Sequence, residues 1–243
     1  VVDGGGGTVP SSGRGAVSGT TFAIALPTVG ANDVTIIRAV FVGTGTAPPA
    51  VTTPTGFTKA RDQVLSAPAG GDAKASRFVE FTRAGGAAGA TIQLSLGASG
   101  VGAWEYYTYT NKKIVGSGYA EGLTYSAAPV TPAVANEYAD VIVLATVATN
   151  QFLRTITAAS LTMAAPAPST SPTLATGTVT QSAASAVAGI TFALADPGGG
   201  AGTEQAHAAV IALADFAATP NPGGGASKNG FDALVNGSMK RPP

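Results

Sequence analysis

The sequence predicts an all-β fold, a jelly-roll-like β-sandwich built from two degenerate repeats of about 100 residues. Two apolar runs, at residues 32–42 and 139–147, each begin with an Asp after a loop and continue through β-branched residues typical of buried strands. Both are predicted to be the central strands of the fold. The two aspartates, Asp33 and Asp140, are separated by about 100 residues, which suits a duplicated half-domain. No stretch longer than about ten residues has the 3.6-residue apolar period of a helix.

Short strands separated by turns are predicted through the first β half, residues 21–110. Residues 21–26 alternate strictly, which places Phe22, Ile24 and Leu26 on one face. A turn is predicted at residues 54–58, where Pro54 stands two positions before Gly56. Gly56 is expected to have a positive φ, and the turn is expected to place Phe57 at the start of the next strand. Further strands of this half are predicted at residues 33–42, 77–82, 91–96 and 104–109.

The second β half is predicted at residues 139–216, after a connector at residues 111–138. The connector is predicted to contain two short strands, around residues 113–115 and 123–125. The strands of that half are predicted at residues 139–147, 156–163, 174–179, 189–194 and 205–216. Residues 1–20 are rich in Gly and Ser and residues 217–243 in Gly, Pro and Asn, so both ends are predicted to be flexible arms. An apolar patch at residues 231–235 is expected to form one helical turn or a docking peptide.

Composition excludes several classes of protein. Thirteen basic and thirteen acidic residues give a net charge of zero and no basic stripe, so nucleic acid is not an expected partner. No window approaches the roughly 18 consecutive apolar residues of a membrane span. The chain has no Cys, which excludes disulfides and thiolate metal sites. The N-terminus does not resemble a signal peptide, and we expect that a Met or a longer leader was removed.

The order of elements resembles a widespread group of tailed-bacteriophage virion proteins. The residues that carry the resemblance are Leu26-Pro27, Asp33-Val34, the turn at residues 54–58 and the aromatic strand at residues 104–109. That group more often has Gly before the Asp and Trp in the turn, where this chain has Asn32 and Phe57. The resemblance implies a Cys-free β-sandwich or jelly-roll unit located in the virion, with no catalytic residues.

The predicted function is therefore that of a non-enzymatic phage structural protein, a head decoration or cement protein that bridges neighbouring capsid subunits. The expected partners are the major capsid protein or other virion proteins, together with copies of itself. A trimer is expected because the resembled proteins usually sit at symmetry axes. One alternative is a tail-fibre or receptor-binding module that recognises host surface glycans. Another is a secreted carbohydrate-active enzyme.

Four aromatic residues in one predicted strand form the main candidate site: Trp104, Tyr106, Tyr107 and Tyr109. On a strand, Trp104 and Tyr106 share one face while Glu105, Tyr107 and Tyr109 share the other. Either the cluster fills the sandwich core, or its exposed members stack on sugar rings or anchor a protein interface.

No catalytic, cofactor or metal site is predicted. His207, the only histidine, lies in an apolar strand, where an imidazole is most often a hydrogen-bonded structural residue. Glu80 and Glu105 are the best pair for two-carboxylate hydrolysis, but each is expected to point to solvent opposite the core face. The carboxylates are too dispersed for a calcium loop, and the glycine runs lack the context of a phosphate loop.

Overall fold

A computed structural model describes ten ranges of the chain, which together contain strands and turns and no helix. The described residues are 11–43, 47–66, 74–86, 91–124, 137–152, 155–158, 162–163, 172–182, 192–195 and 204–220. Within them the sequence prediction of an all-β protein is confirmed. The strong β-branched content of the long strands and the Gly/Pro punctuation between them account for this local structure.

Twelve β-strands occupy these ranges. In the first part of the chain they are β1 (Ser11–Ala25), β2 (Val34–Gly43), β3 (Thr58–Leu65), β4 (Ser76–Ala84) and β5 (Thr91–Tyr109). The remaining strands are β6 (Lys112–Thr124), β7 (Val141–Phe152), β8 (Thr155–Ala158), β9 (Thr162–Met163), β10 (Pro172–Gln181), β11 (Phe192–Ala195) and β12 (Glu204–Asp215).

The strands form two antiparallel sheets whose orders correspond. The first sheet has the order β1-β5-β2-β4-β3, and the second has the order β6-β12-β7-β10-β9. Strands β8 and β11 form a separate two-stranded sheet. The strands that follow Asp33 and Asp140, β2 and β7, are the middle strands of their sheets, as predicted. Each of the two large sheets is thus built from one part of the chain, and the boundary falls at the two-residue turn between β5 and β6.

The two sheets pack face to face as a β-sandwich. One end of the shared core joins Val34 and Ile36 of β2 to Leu144 of β7 and Ile211 of β12. The other end contains side chains from both sheets, including Val40, Phe78, Ala103, Ala148, Leu174 and Ala209. Buried apolar area of this kind is the main stabilising term, at about 25 cal/mol per Å² removed from water.

The outer face of the first sheet is covered as well. Strand β5 runs unbroken through the two strands predicted at residues 91–96 and 104–109. Its first part pairs with β1 and also forms one antiparallel β-bridge, between Leu96 and Val51. Along this β1–β5 ribbon, Ile24 and Leu94 pack against Phe41 and Phe81 of the sheet. The predicted alternation at residues 21–26 is confirmed, because Phe22, Ile24 and Leu26 all join this cluster.

Two expectations about chain organisation need correction. Residues 11–20, expected as part of a flexible arm, form the first part of β1 and pair with β5 from Gly100 to Thr108. The two short strands expected in the connector are instead the ends of one strand, β6, which belongs to the second sheet. Residues 1–10 and 221–243, the rest of the expected arms, lie outside the described residues.

Two turns position the central strands. The Pro54 carbonyl accepts a hydrogen bond from the Phe57 amide at 3.1 Å, and Gly56 has a φ of 79°, as predicted. At the start of β2, the Asp33 carboxylate accepts hydrogen bonds from the Gly30 amide at 2.7 Å and the Asn111 amide at 2.9 Å. Asp33 therefore ties its own loop to the turn that carries the chain from one sheet to the other.

Candidate functional site

The four predicted aromatic residues lie on one strand, β5, and its alternation divides them between two environments. Tyr107 and Tyr109 face the second sheet and are only 8% and 2% exposed, so they belong to the sandwich core. Trp104 and Tyr106 lie on the outer face and are only partly buried. We call this second pair the aromatic shelf. Only the shelf is accessible to a ligand or a partner.

The shelf has a fixed geometry. The rings of Trp104 and Tyr106 are 6.3 Å apart between centroids, and their planes differ by 8°. Both rings extend over the edge strand β1, where their cross-strand neighbours are Gly15 and Gly13. A Cβ atom at these glycines would lie 2.8 Å from the Trp104 ring and 2.6 Å from the Tyr106 ring. The two glycines therefore leave the space that the rings occupy.

A row of alternating charges crosses all five strands of the first sheet. In the strand registers, Glu105 pairs with Arg14 and Arg38, and Glu80 pairs with Arg38 and Arg61. We call these five residues the charged row. Its three central members, Glu105, Arg38 and Glu80, are at most 2% exposed. The expectation that Glu80 and Glu105 point to solvent is wrong, because β4 and β5 are buried on both faces here.

Arg38 is the centre of the charged row and connects both sheets. Its Nε donates to Glu80 Oε2 at 2.7 Å, and its Nη1 donates to Thr146 Oγ1 of β7 at 2.6 Å. A lone arginine inside a doubly buried strand needs a carboxylate partner, because an unpaired buried charge is strongly destabilising. An arginine in the apolar run at residues 32–42 indicates by itself that a carboxylate partner is needed, but the sequence does not show that Glu80 and Glu105 lie beside it.

Glu105 accepts hydrogen bonds from three hydroxyl groups. Tyr107 donates to its Oε2 at 3.0 Å, and Thr146 donates to its Oε1 at 3.3 Å. Thr176 of β10 donates to the same Oε1. Burial raises the pKa of Glu105 to about 7, although the Arg38 charge and these hydrogen bonds oppose the shift. The carboxyl group therefore titrates near neutral pH while it holds the two sheets together.

His207 lies in a second polar cluster between the sheets. Its Nε2 is 2.9 Å from Ser76 Oγ, and its Nδ1 is 2.7 Å from Tyr119 Oη. Tyr119 also donates to Glu121 at 3.2 Å and stacks under the Arg61 guanidinium, whose carbon lies 4.9 Å from the ring centre. The prediction that His207 is hydrogen-bonded within an apolar strand is confirmed.

The Ser76–His207 contact pairs a hydroxyl with an imidazole, as in a nucleophile and its base, but it lacks access to a substrate and a suitable pKa. Both residues are completely buried, so no substrate carbonyl can approach the hydroxyl in this structure. Burial also lowers the pKa of His207 to about 3, which makes the imidazole a poor base at neutral pH. The geometry therefore fits a role in packing between the sheets.

The two glutamates and the histidine belong to separate polar clusters. Glu80 and Glu105 flank the same arginine, whereas His207 bonds to Ser76 and Tyr119. In the described part of the chain, no group of three or more His, Cys, Asp or Glu side chains is arranged to hold a metal ion. The same ranges contain no helix long and apolar enough to cross a membrane.

Comparison with known proteins identifies no relative. Neither the protein-family models, nor the curated proteins, nor the solved structures contain a match to this chain. The structural features above and the resemblance of the sequence pattern are thus the basis for any functional proposal.

Proposed function

We propose that this chain is a non-enzymatic structural protein of a tailed-bacteriophage particle, a head decoration or cement protein that bridges neighbouring capsid subunits. The resemblance of the sequence pattern and the weakly charged composition support this assignment. The proposed finer architecture is a duplicated five-stranded unit, supported by the corresponding strand orders. In a jelly roll, two Greek keys share one double sheet. Here each of the two large sheets contains strands from only one part of the chain, and this favours the duplicated arrangement.

The observation that carries the proposal is the surface formed by edge strand β1 and the aromatic shelf. Edge strands are usually protected by charged residues or Pro, and β3 at the opposite edge carries Lys59, Arg61 and Asp62. Strand β1 has Arg14 as its only charged residue in fifteen. A capsid subunit could therefore add a strand along β1 while the shelf supplies two aromatic anchors.

The location of the protein on intact particles tests this proposal. Antibodies against the chain should label phage heads in electron micrographs, at positions repeated over the capsid surface. Labelling of tail fibres alone would favour the receptor-binding alternative. Absence of the chain from purified particles would overturn both assignments.

A second candidate function, recognition of host surface glycans, is favoured by the nearly parallel rings of the shelf. Parallel aromatic faces at the surface suit stacking against sugar rings. Trp104 is the only tryptophan, so its fluorescence would report sugar binding directly. This function requires binding to a glycan array that Trp104→Ala abolishes and Tyr107→Phe, a change in the buried core, leaves intact.

A further inference from the structure

A cleft of about 420 Å³ opens at the end of the sandwich where β5 turns into β6. One wall belongs to the first sheet and the other to β6 and the end of β12. The residues that matter here are Val34, Thr82, Lys112, Lys113, Ile114 and Phe216. We call it the terminal cleft.

The terminal cleft is lined by exposed hydrophobic side chains. The large hydrophobic residues that are exposed in the described part of the chain are Val64, Ile114 and Phe216. Ile114 and Phe216 both line the cleft and are 37% and 46% exposed. Covering them with another apolar group would be favourable, by about 25 cal/mol for each Å² removed from water.

The described chain ends beside this cleft. The Lys113 ammonium group donates to the Ala218 carbonyl at 2.5 Å, and the last described residue is Pro220. Residues 221–230 are mostly Gly, Asn, Ser and Pro, and a chain of ten such residues spans about 17 Å on average. Any segment that follows is therefore held close to the cleft by a short linker.

The segment at residues 231–235 has the composition that this cleft would bind. Phe231 and Leu234 are three positions apart, so one helical turn would place both on the same face.

The charged residues that line the cleft are Asp33, Lys112 and Lys113. The Asp33 carboxylate accepts hydrogen bonds from two backbone amides, and Lys112 pairs with Asp215. No carboxylate of the described residues forms an ion pair with Lys113, so Asp232 would bring a negative charge to this lysine.

We propose that residues 231–235 bind in the terminal cleft of their own chain, with Phe231 and Leu234 against Ile114 and Phe216 and with Asp232 facing Lys113. A tether of ten residues gives the segment an effective concentration on the order of millimolar, so a weak intrinsic affinity is enough. The docked segment covers the apolar end of the sandwich. The inference concerns the isolated protein and does not depend on the virion assignment.

Hydrogen exchange of the full chain, followed by mass spectrometry, tests the proposal. In the double variant Ile114→Ser/Phe216→Ser, the amides of residues 231–235 should exchange about tenfold faster than in the wild type. Val64→Ser is the matched control, because Val64 is 45% exposed on the distant strand β3, and it should leave this exchange unchanged. Equal exchange of residues 231–235 in the wild type and the double variant would overturn the proposal.

A reciprocal double variant controls for the possibility that the substitutions in the cleft disturb its folding. Phe231→Ser/Leu234→Ser changes no residue of the described sheets and should accelerate exchange around Lys113 and Phe216. No change there would count against the proposal. Protection that persists over a hundredfold dilution supports docking within one chain. Protection that disappears on dilution means that the segment binds a neighbouring copy, which would overturn the intramolecular occupant proposed here.

Discussion

Arg38 connects the two sheets through hydrogen bonds of its side chain. It lies between Glu80 and Glu105 in its own sheet and donates to Thr146 and to the Leu144 carbonyl in the other. Removing one partner from a buried ionic group costs about 3–5 kcal/mol, because the remaining charges stay desolvated and uncompensated. Substitution of Arg38 is therefore expected to weaken the packing of the two sheets against each other.

We predict that Arg38→Met lowers the free energy of unfolding by about 3–5 kcal/mol, measured by urea denaturation at pH 7. The control is Lys59→Met, which removes the partly exposed ion pair with Asp62 and should cost about 1 kcal/mol or less. A loss no larger for Arg38→Met than for the control would show that the charged row does not hold the sheets together.

Glu105 and His207 make opposite contributions to the dependence of stability on pH. The pKa of Glu105 is raised to about 7 in the folded protein, so its contribution is complete below its unfolded pKa of about 4.5 and is lost as pH rises through about 7. The pKa of His207 is lowered to about 3, so its contribution is complete above about 6.5 and is lost as pH falls. Between about pH 4.5 and 6.5 the two slopes, each about 1.4 kcal/mol per pH unit, nearly cancel.

Single substitutions should expose these two slopes. Compared with the wild type, Glu105→Gln should lose stability more steeply as pH is lowered from 6.5 to 4.5, because only the contribution of His207 then depends on pH in this range. His207→Gln should show the reverse, with relative stability increasing on acidification. Denaturation midpoints and slopes measured at several pH values check both variants. Parallel pH profiles for all three proteins would contradict the pKa shifts of both groups.

At the level of the strands, β2 and β7 have similar apolar sequences but face in different directions. Aligning the runs on Asp33 and Asp140 places Val34 opposite Val141. However, Val34 faces the other sheet, whereas Val141 packs on the outer face of its own sheet. Both strands are apolar on their two faces, so a slip of one residue leaves the sequence pattern unchanged while it reverses every side chain. The pattern therefore predicted both strands and their central positions but not their faces.

The geometry of the shelf depends on a second strand, β1, whose pairing with β5 the sequence pattern did not predict. Gly15 of β1 lies where a Cβ would be 2.8 Å from the Trp104 ring, whereas a Cβ at Gly97 of β5 has its nearest neighbour at 3.7 Å. We predict that Gly15→Ala displaces Trp104 and lowers the free energy of unfolding by about 1–3 kcal/mol through overpacking. Gly97→Ala is the matched control. Fluorescence of the single tryptophan should shift only in Gly15→Ala, and an unchanged spectrum would contradict the close packing.

For the whole molecule, the position of β1 decides how far the N-terminus can be shortened. Removing residues 1–10 together with residues 221–243 leaves edge strand β1 and the shelf in place, so the sandwich should stay folded and binding to phage particles should persist. Loss of binding would instead assign the attachments to the removed segments. Removing residues 1–20 takes away nine residues of β1 that pair with β5, so it should weaken particle binding and lower the thermal midpoint by several degrees. Circular dichroism and co-sedimentation with particles separate the two effects. Equal midpoints for the two truncations would show that this part of β1 adds no stability.

The sequence by itself determined the all-β class, the central place of the strands after Asp33 and Asp140, the turn at Gly56 and the hydrogen bonding of His207 within an apolar strand. These follow from local causes, namely β-branched runs, turn chemistry and the cost of a charged imidazole among apolar residues. Only the tertiary structure decided that Glu80 and Glu105 are buried against Arg38, and that Tyr107 and Tyr109 are core while Trp104 and Tyr106 remain accessible. The physical reason is that a strand specifies two faces by alternation, whereas what covers each face depends on residues far away in the chain.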